Sequence, residues 1–336
     1  MSKSRPIFLT GVDRSRIGVL AQMLGSHPNI AMTRRTCFWT RYAWPGHALN
    51  SRRQFDRCLR EMLSIRRMKV FNPDVESLYR AFAAGERTYA RLFQLLQEQR
   101  LRRLGKSRWG DQSPDWAKHA AAVFRAFPGA TMVHVVRDPR DVSAQAIGHR
   151  SVRRDTAVSI STADWLSSLR LAKRNVRAYP GRYKIVRYEC FAAEPDRTLR
   201  EICQFVGESY STSMMEPIVS ESDCDASASG ECERTEPIND WYESTGCFRD
   251  VLSTREIAFI QMLAGHRMKE YGYDAVRTDD AISNRILLYL RDWPINFFRI
   301  GLSRARCLHA AGVAGLSRCS THIFRMAIRN ALSPQQ

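Results

Sequence analysis

Several devices are missing from these 336 residues. The nine cysteines, at 37, 58, 190, 203, 224, 232, 247, 307 and 319, include no C-x-x-C pair, and no histidine stands at zinc-finger spacing. A zinc-ribbon reading is therefore excluded, and no metal is called for. An odd, unpatterned cysteine set suits a reducing compartment, so a cytoplasmic protein is expected. Long apolar runs are missing too: MSKSRPIFLT enters a strand-like stretch at once, too short and too weakly apolar for a signal peptide or membrane anchor. Acids are scarce beside bases, 34 against 52, giving a formal charge of +18. Such a chain attracts anions. Its arginines are dispersed and no nucleic-acid-binding module is recognisable, so no nucleic-acid partner is expected.

What is present is an ordinary globular composition, 44% apolar, able to bury one large core and a small appendage. Runs rich in branched and apolar residues at 6–10, 107–109, 131–136 and 183–188 read as buried parallel strands. Helical patterns at 19–26, 51–66, 74–83, 87–103, 115–126, 140–148, 157–178 and 195–206 alternate with them. The alternation argues an α/β fold with a central parallel sheet. Residues 208–250 turn small and acidic and read as a mobile loop, after which a helix is expected at 253–271, capped by Ser253 with Glu256 in the capping-box position. Residues 281–336 carry eight arginines against one acid, Asp292, among large apolar residues. The commoner role of such a basic helical extension is to pack on the body; the sharper one is a peripheral contact with an anionic membrane.

The stretch GVDRSRIG, residues 11–18, follows the first strand and precedes a helix. A helix start offers unpaired N–H groups and a positive dipole end, and Arg14 and Arg16 add charge there. No Gly-Lys-Ser/Thr is present, so ATP chemistry with magnesium is not expected. Alone, the stretch reads first as a basic turn without a ligand. A second strand, 131–136, ends in Arg137, with Pro139 ready to open a helix. Ligands of open α/β sheets sit beyond the carboxyl ends of strands, so Arg14 and Arg137 are expected to face one crevice and share a ligand with two separated phosphates.

At this point the chain resembles the sulfotransferases that use 3′-phosphoadenosine 5′-phosphosulfate. Their first loop, roughly Gly-x-Pro-Arg-Ser-Gly-Thr-Thr before a helix ending in His-Pro, is matched by GVDRSRIGVLAQMLGSHP, and their second by RDPRD at 137–141. WGDQSP at 109–114, VRYECFAAEPDRTLREICQFVG at 186–207 and MKEYGY at 268–273 continue the likeness in order. The resemblance implies a three-layer α/β/α fold of P-loop NTPase-like type, over a domain of residues 1–278, with 279–336 as the basic extension. It also implies that Arg14, Ser15, Arg16, Ile17 and Gly18 hold the 5′-phosphosulfate, largely through backbone N–H groups. Arg137 would take the 3′-phosphate, helped by Gln145 where relatives have serine. Tyr188 lies where relatives have a tyrosine near the nucleotide, or else packs in the core; Trp116 and Trp165 read as core or lining.

The pattern is broken at three places. Gly-Thr-Thr of the first loop has become Arg16-Ile17-Gly18, Gln145 replaces the serine, and Arg35 stands where protein-tyrosine sulfotransferases carry a catalytic glutamate. Arg14 is the expected cation beside the leaving oxygens. Asp111, next to Gln112 where relatives have lysine, is the candidate base, its other reading being a cap for the helix near Pro114. His27 and His134 read as structural. The expected activity is sulfuryl transfer to a hydroxyl or amine of a small-molecule, glycan or glycolipid acceptor, whose pocket draws on 36–110 and 208–250. The alternative is a catalytically degenerate relative that binds an anionic nucleotide or polyanion without transfer.

Overall fold

The branched and apolar runs become strands because both of their faces are covered. The computed structural model describes residues 5–42, 49–147, 154–216 and 245–278. Strands β1 (Ile7–Gly11), β2 (Ile30–Arg34), β3 (Arg108–Gln112), β4 (Thr131–Val136) and β5 (Tyr183–Arg187) form one sheet in the order β2-β3-β1-β4-β5. Every pairing is parallel, with Ile7 beside Gly110 and Thr131, Ile30 beside Arg108, and Met132 beside Tyr183.

Side chains alternate across the strands, and each alternate set joins a different core. Ile7, Leu9, Ile30, Met32, Val133 and Val135 pack on one face with α1 (Ile17–Gly25). Phe8, Ala31, Trp109 and Met132 pack on the other with residues of α3 (Arg52–Ser64), α4 (Val75–Ala83), α5 (Tyr89–Leu104) and α6 (Ala120–Ala126). Helices on both faces of a parallel sheet give the expected three-layer α/β/α arrangement. Edge-to-face contacts of Phe8 with Trp109 and Trp116, at 5.7 and 4.7 Å, fill the second core.

Strand β2 was not expected from the sequence. Its five residues end in Thr33 and Arg34, too few and too polar to stand out, and it forms by pairing with β3. Likewise β3 runs on through Gly110, Asp111 and Gln112, poor strand formers held between two neighbours. The α1 turn into β2 is fixed by Lys106, whose ammonium donates to the carbonyls of Gly25, His27 and Ile30 at 2.5, 2.9 and 2.7 Å.

The remaining helices are α2 (Phe38–Tyr42), α7 (Pro139–Ile147), α8 (Arg154–Ala178), α9 (Tyr188–Ala193), α10 (Pro195–Val206), α11 (Phe248–Val251) and α12 (Thr254–Glu270). The Ser253–Glu256 capping box opens α12 as expected. The described residues group into two compact units, one of 5–42, 49–136 and 170–216, the other of 137–147, 154–169 and 245–278. The first holds the sheet; the second holds α7, the first part of α8, α11 and α12. Residues 217–244 of the expected loop and the whole basic extension from 279 lie outside the described residues. Among the described residues no helix is long and apolar enough to cross a membrane.

Candidate active site

In the first unit, β1 delivers the chain into the 11–18 turn through a close approach. A Cβ on Gly11 would stand 2.5 Å from the carbonyl oxygen of Val135 on β4, so only glycine fits. Arg14 and Arg16 then both take positive φ, 71° and 59°. Among the described residues five non-glycine residues do so, and four of them, Arg14, Arg16, Arg35 and Cys37, follow the carboxyl ends of β1 and β2. Left-handed backbone costs side-chain-bearing residues roughly 1–3 kcal/mol each and gathers at functional sites.

The turn closes on itself and opens onto α1. Ser15 is fully buried, its hydroxyl and N–H both donating to Val12 O at 2.6 and 3.2 Å, so it shapes the loop with its side chain already committed. Ile17 is buried in the α1 core, leaving only its backbone to face a ligand. Arg16 is the N-cap of α1 and makes no side-chain cap bond, and the first turn holds no acid. That leaves the positive end of α1 for an external anion. Gly18, the second residue of α1, lies beneath the guanidinium of Arg34: a Cβ there would be 2.7 Å from Nη2.

The residues after β2 and β3 brace this rim. Arg35 pairs with Asp13 of the turn at 2.5 Å. Asp111 lies within β3 and has no exposed surface; Oδ1 accepts from Thr33 Oγ1 at 2.7 Å, and Oδ2 from Ser113 Oγ and Trp116 Nε1 at 2.9 and 2.7 Å. Ser113 in turn accepts from the N–H of Cys37 at 3.1 Å. Burial pushes the Asp111 carboxyl up to about 6, against the pull of those donors. None of these bonds reaches a backbone N–H near Pro114, which corrects the helix-capping reading of Asp111. The short helical turn Trp116–Lys118 starts without a side-chain cap. His27 bonds Ser209 O at 2.7 Å and accepts from Asn29 N. His134 bonds Tyr183 Oη at 2.6 Å, and burial lowers it to about 3. Tyr188 is fully buried in the α1-side core, edge-on to Phe191 at 6.2 Å.

In the second unit, Arg137 is wholly buried. Its carbonyl accepts from Trp165 Nε1 at 2.7 Å, and its Nη2 lies 4.0 Å from Cys247 Sγ. Asp138 receives the backbone N–H of Arg140 at 2.8 Å and pairs with the Arg140 guanidinium at 2.6 Å, which also stacks on Phe248. Asp141 gathers the N–H groups of Gly246 and Phe248 at 2.8 and 3.0 Å. Gln145, farther along α7, is half-buried. Among the described residues no group of His, Cys, Asp or Glu could hold a metal ion.

Arg34 escaped the sequence analysis because its strand did. The signal that could have found it is the alternation of apolar Ile30 and Met32, which puts residue 34 on the face of α1.

No curated protein matches the sequence. Among solved structures, the sulfotransferase domain of the Synechococcus PCC 7002 olefin synthase is 20% identical, with a TM-score of 0.50 over 73% of this chain and 90% of that one. It shares the fold. Weaker likenesses are a Mycobacterium avium sulfotransferase, 12% identical with a TM-score of 0.44 over 82% and 79%, and a retinol dehydratase complexed with retinol and PAP, 12% identical with a TM-score of 0.40 over 79% and 82%. The model of the sulfotransferase family matches residues 6–212, from the start of β1 through α10. With well over half its length so matched, and with the parallel sheet and strained β1 turn in place, this chain belongs to the sulfotransferase family.

Proposed function

We propose that the protein transfers a sulfuryl group from 3′-phosphoadenosine 5′-phosphosulfate to a hydroxyl or amine of a small-molecule, glycan or glycolipid acceptor. The carrying observation is the glycine turn after β1, whose two left-handed arginines lead into an α1 start without side-chain cap or acid, in a chain of this family. The backbone from Arg14 to Gly18 takes the 5′-phosphosulfate; Arg137 and Gln145 take the 3′-phosphate. The acceptor oxygen attacks sulfur in line, the bond from sulfur to the bridging phosphate oxygen breaks, and the bisphosphate nucleotide leaves. Such transfer needs positioning and fixed positive charge more than covalent help, and Arg14 supplies charge at the leaving oxygen. Asp111, enclosed by Thr33, Ser113 and Trp116, positions the rim in this reading and leaves proton removal to a more exposed group.

Incubation with donor labelled in its sulfuryl group and a panel of hydroxylated acceptors tests this. Label appearing in an acceptor is the expected outcome. Tight binding of the bisphosphate nucleotide with no transfer to any acceptor would instead favour a degenerate binder, a reading prompted by Arg16-Ile17-Gly18 where relatives carry Gly-Thr-Thr.

A further inference from the structure

We infer that Arg34, at the end of β2, is a donor-binding residue that grips the 5′-phosphosulfate, and that residue 18 is glycine in order to admit it. This rests on the donor reading above and deepens it at the same subsite.

The placement follows from strand geometry. In β2, Ile30 and Met32 join the core that holds α1, while Ala31 joins the opposite core and Thr33 bonds Asp111. Residue 34 continues the first set, so it projects to the α1 side. Because β1, β3 and β2 are parallel, the carboxyl end of β2 lies at the edge of the sheet from which α1 departs. The last residue of β2 therefore meets the first turn of α1.

It does so closely. A Cβ on Gly18 would stand 2.7 Å from Nη2, 3.6 Å from Cζ and 4.0 Å from Nε of Arg34. The Nη2 end of the guanidinium thus occupies the space a Cβ at 18 would take, and any side chain there would have to push it away. An anion held at that helix start is attracted by the guanidinium and by the helix end together. A guanidinium also presents paired N–H donors that match two oxygens of a phosphate or sulfonate, which a lone ammonium cannot. Neighbouring Arg35 pairs with Asp13 of the turn at 2.5 Å and so braces the same subsite.

The experiment is calorimetric titration of the full chain with two nucleotides, 3′-phosphoadenosine 5′-phosphate and adenosine 3′-monophosphate, which differ only in the 5′-phosphate. The wild type is expected to prefer the bisphosphate. Arg34→Ala should weaken bisphosphate binding by about tenfold or more, as for loss of a charged hydrogen bond, while leaving the 3′-monophosphate unchanged. Retained binding of that second nucleotide shows the variant is folded. Arg34→Lys should recover part of the loss. Gly18→Ala should reproduce it with every arginine still present, since the methyl group displaces the guanidinium. Equal weakening of both nucleotides, or none, in Arg34→Ala would overturn the assignment while a preference for the bisphosphate in the wild type kept the donor reading alive. A wild type that binds neither nucleotide would reject the donor reading itself.

Discussion

The turns that follow β1 and β4 each set an arginine at the carboxyl end of a strand, and they are made rigid in opposite ways. Around Arg14 the backbone carries the order: left-handed residues at 14 and 16, a glycine pressed against the Val135 carbonyl, and arginine side chains left half-buried. Around Arg137 the side chains carry it. The arginine itself is fully enclosed, Trp165 holds its carbonyl, and Asp138 and Asp141 tie the start of α7 to Arg140 and to residues 246–248. An enclosed arginine has lost its rotamer entropy, up to about 2 kcal/mol, before a ligand arrives, so its charge suits tight holding. A half-exposed one above a fixed backbone can follow charge as it develops, which suits the step that breaks a bond.

Three experiments sharpen or break that contrast. The largest effect concerns Asp111, which braces the first rim. Its folded carboxyl is raised from 3.8 to about 6 by burial. A raised acid favours the folded state below its unfolded value and loses that contribution as pH climbs through the folded one. Asp111→Asn has no such titration, so between pH 3 and pH 8 the wild type should lose about 3 kcal/mol relative to the variant in urea unfolding. Parallel stability curves would show that the brace does not titrate.

Next comes the rate. Arg14→Ala should cut kcat by roughly 100-fold with little change in donor affinity, the signature of a group that acts in the transition state. A loss confined to KM would erase the contrast from the side of the first turn. The smallest effect is on the second: Arg137→Ala should weaken binding of the bisphosphate nucleotide by about 2 kcal/mol, close to thirtyfold. Unchanged affinity in calorimetry would remove the 3′-phosphate from Arg137.

Much of the frame was legible in the sequence. β1 and β4 announce themselves as apolar runs, and Ser253 with Glu256 caps a helix where local chemistry alone says it should. Of the candidate site, the turn and its arginines were also legible, because glycine and charge in that order are local signals. The fate of Asp111 was not. Its spacing suggested a cap or a base beyond a strand, whereas pairing with β1 and β2 draws it into the sheet and encloses it among Thr33, Ser113 and Trp116.

The sequence by itself determined which segments alternate apolar residues, where glycine and arginine meet at a strand end, and hence the family. Only the tertiary structure decided that IAMTR is a strand, since five residues of mixed polarity gain their order from a neighbour 78 positions away in the chain, as Ile30 beside Arg108 shows. With that strand came the placement of Arg34 over Gly18, a contact between residues whose spacing carries no local signal because it depends on how a helix lies across a sheet.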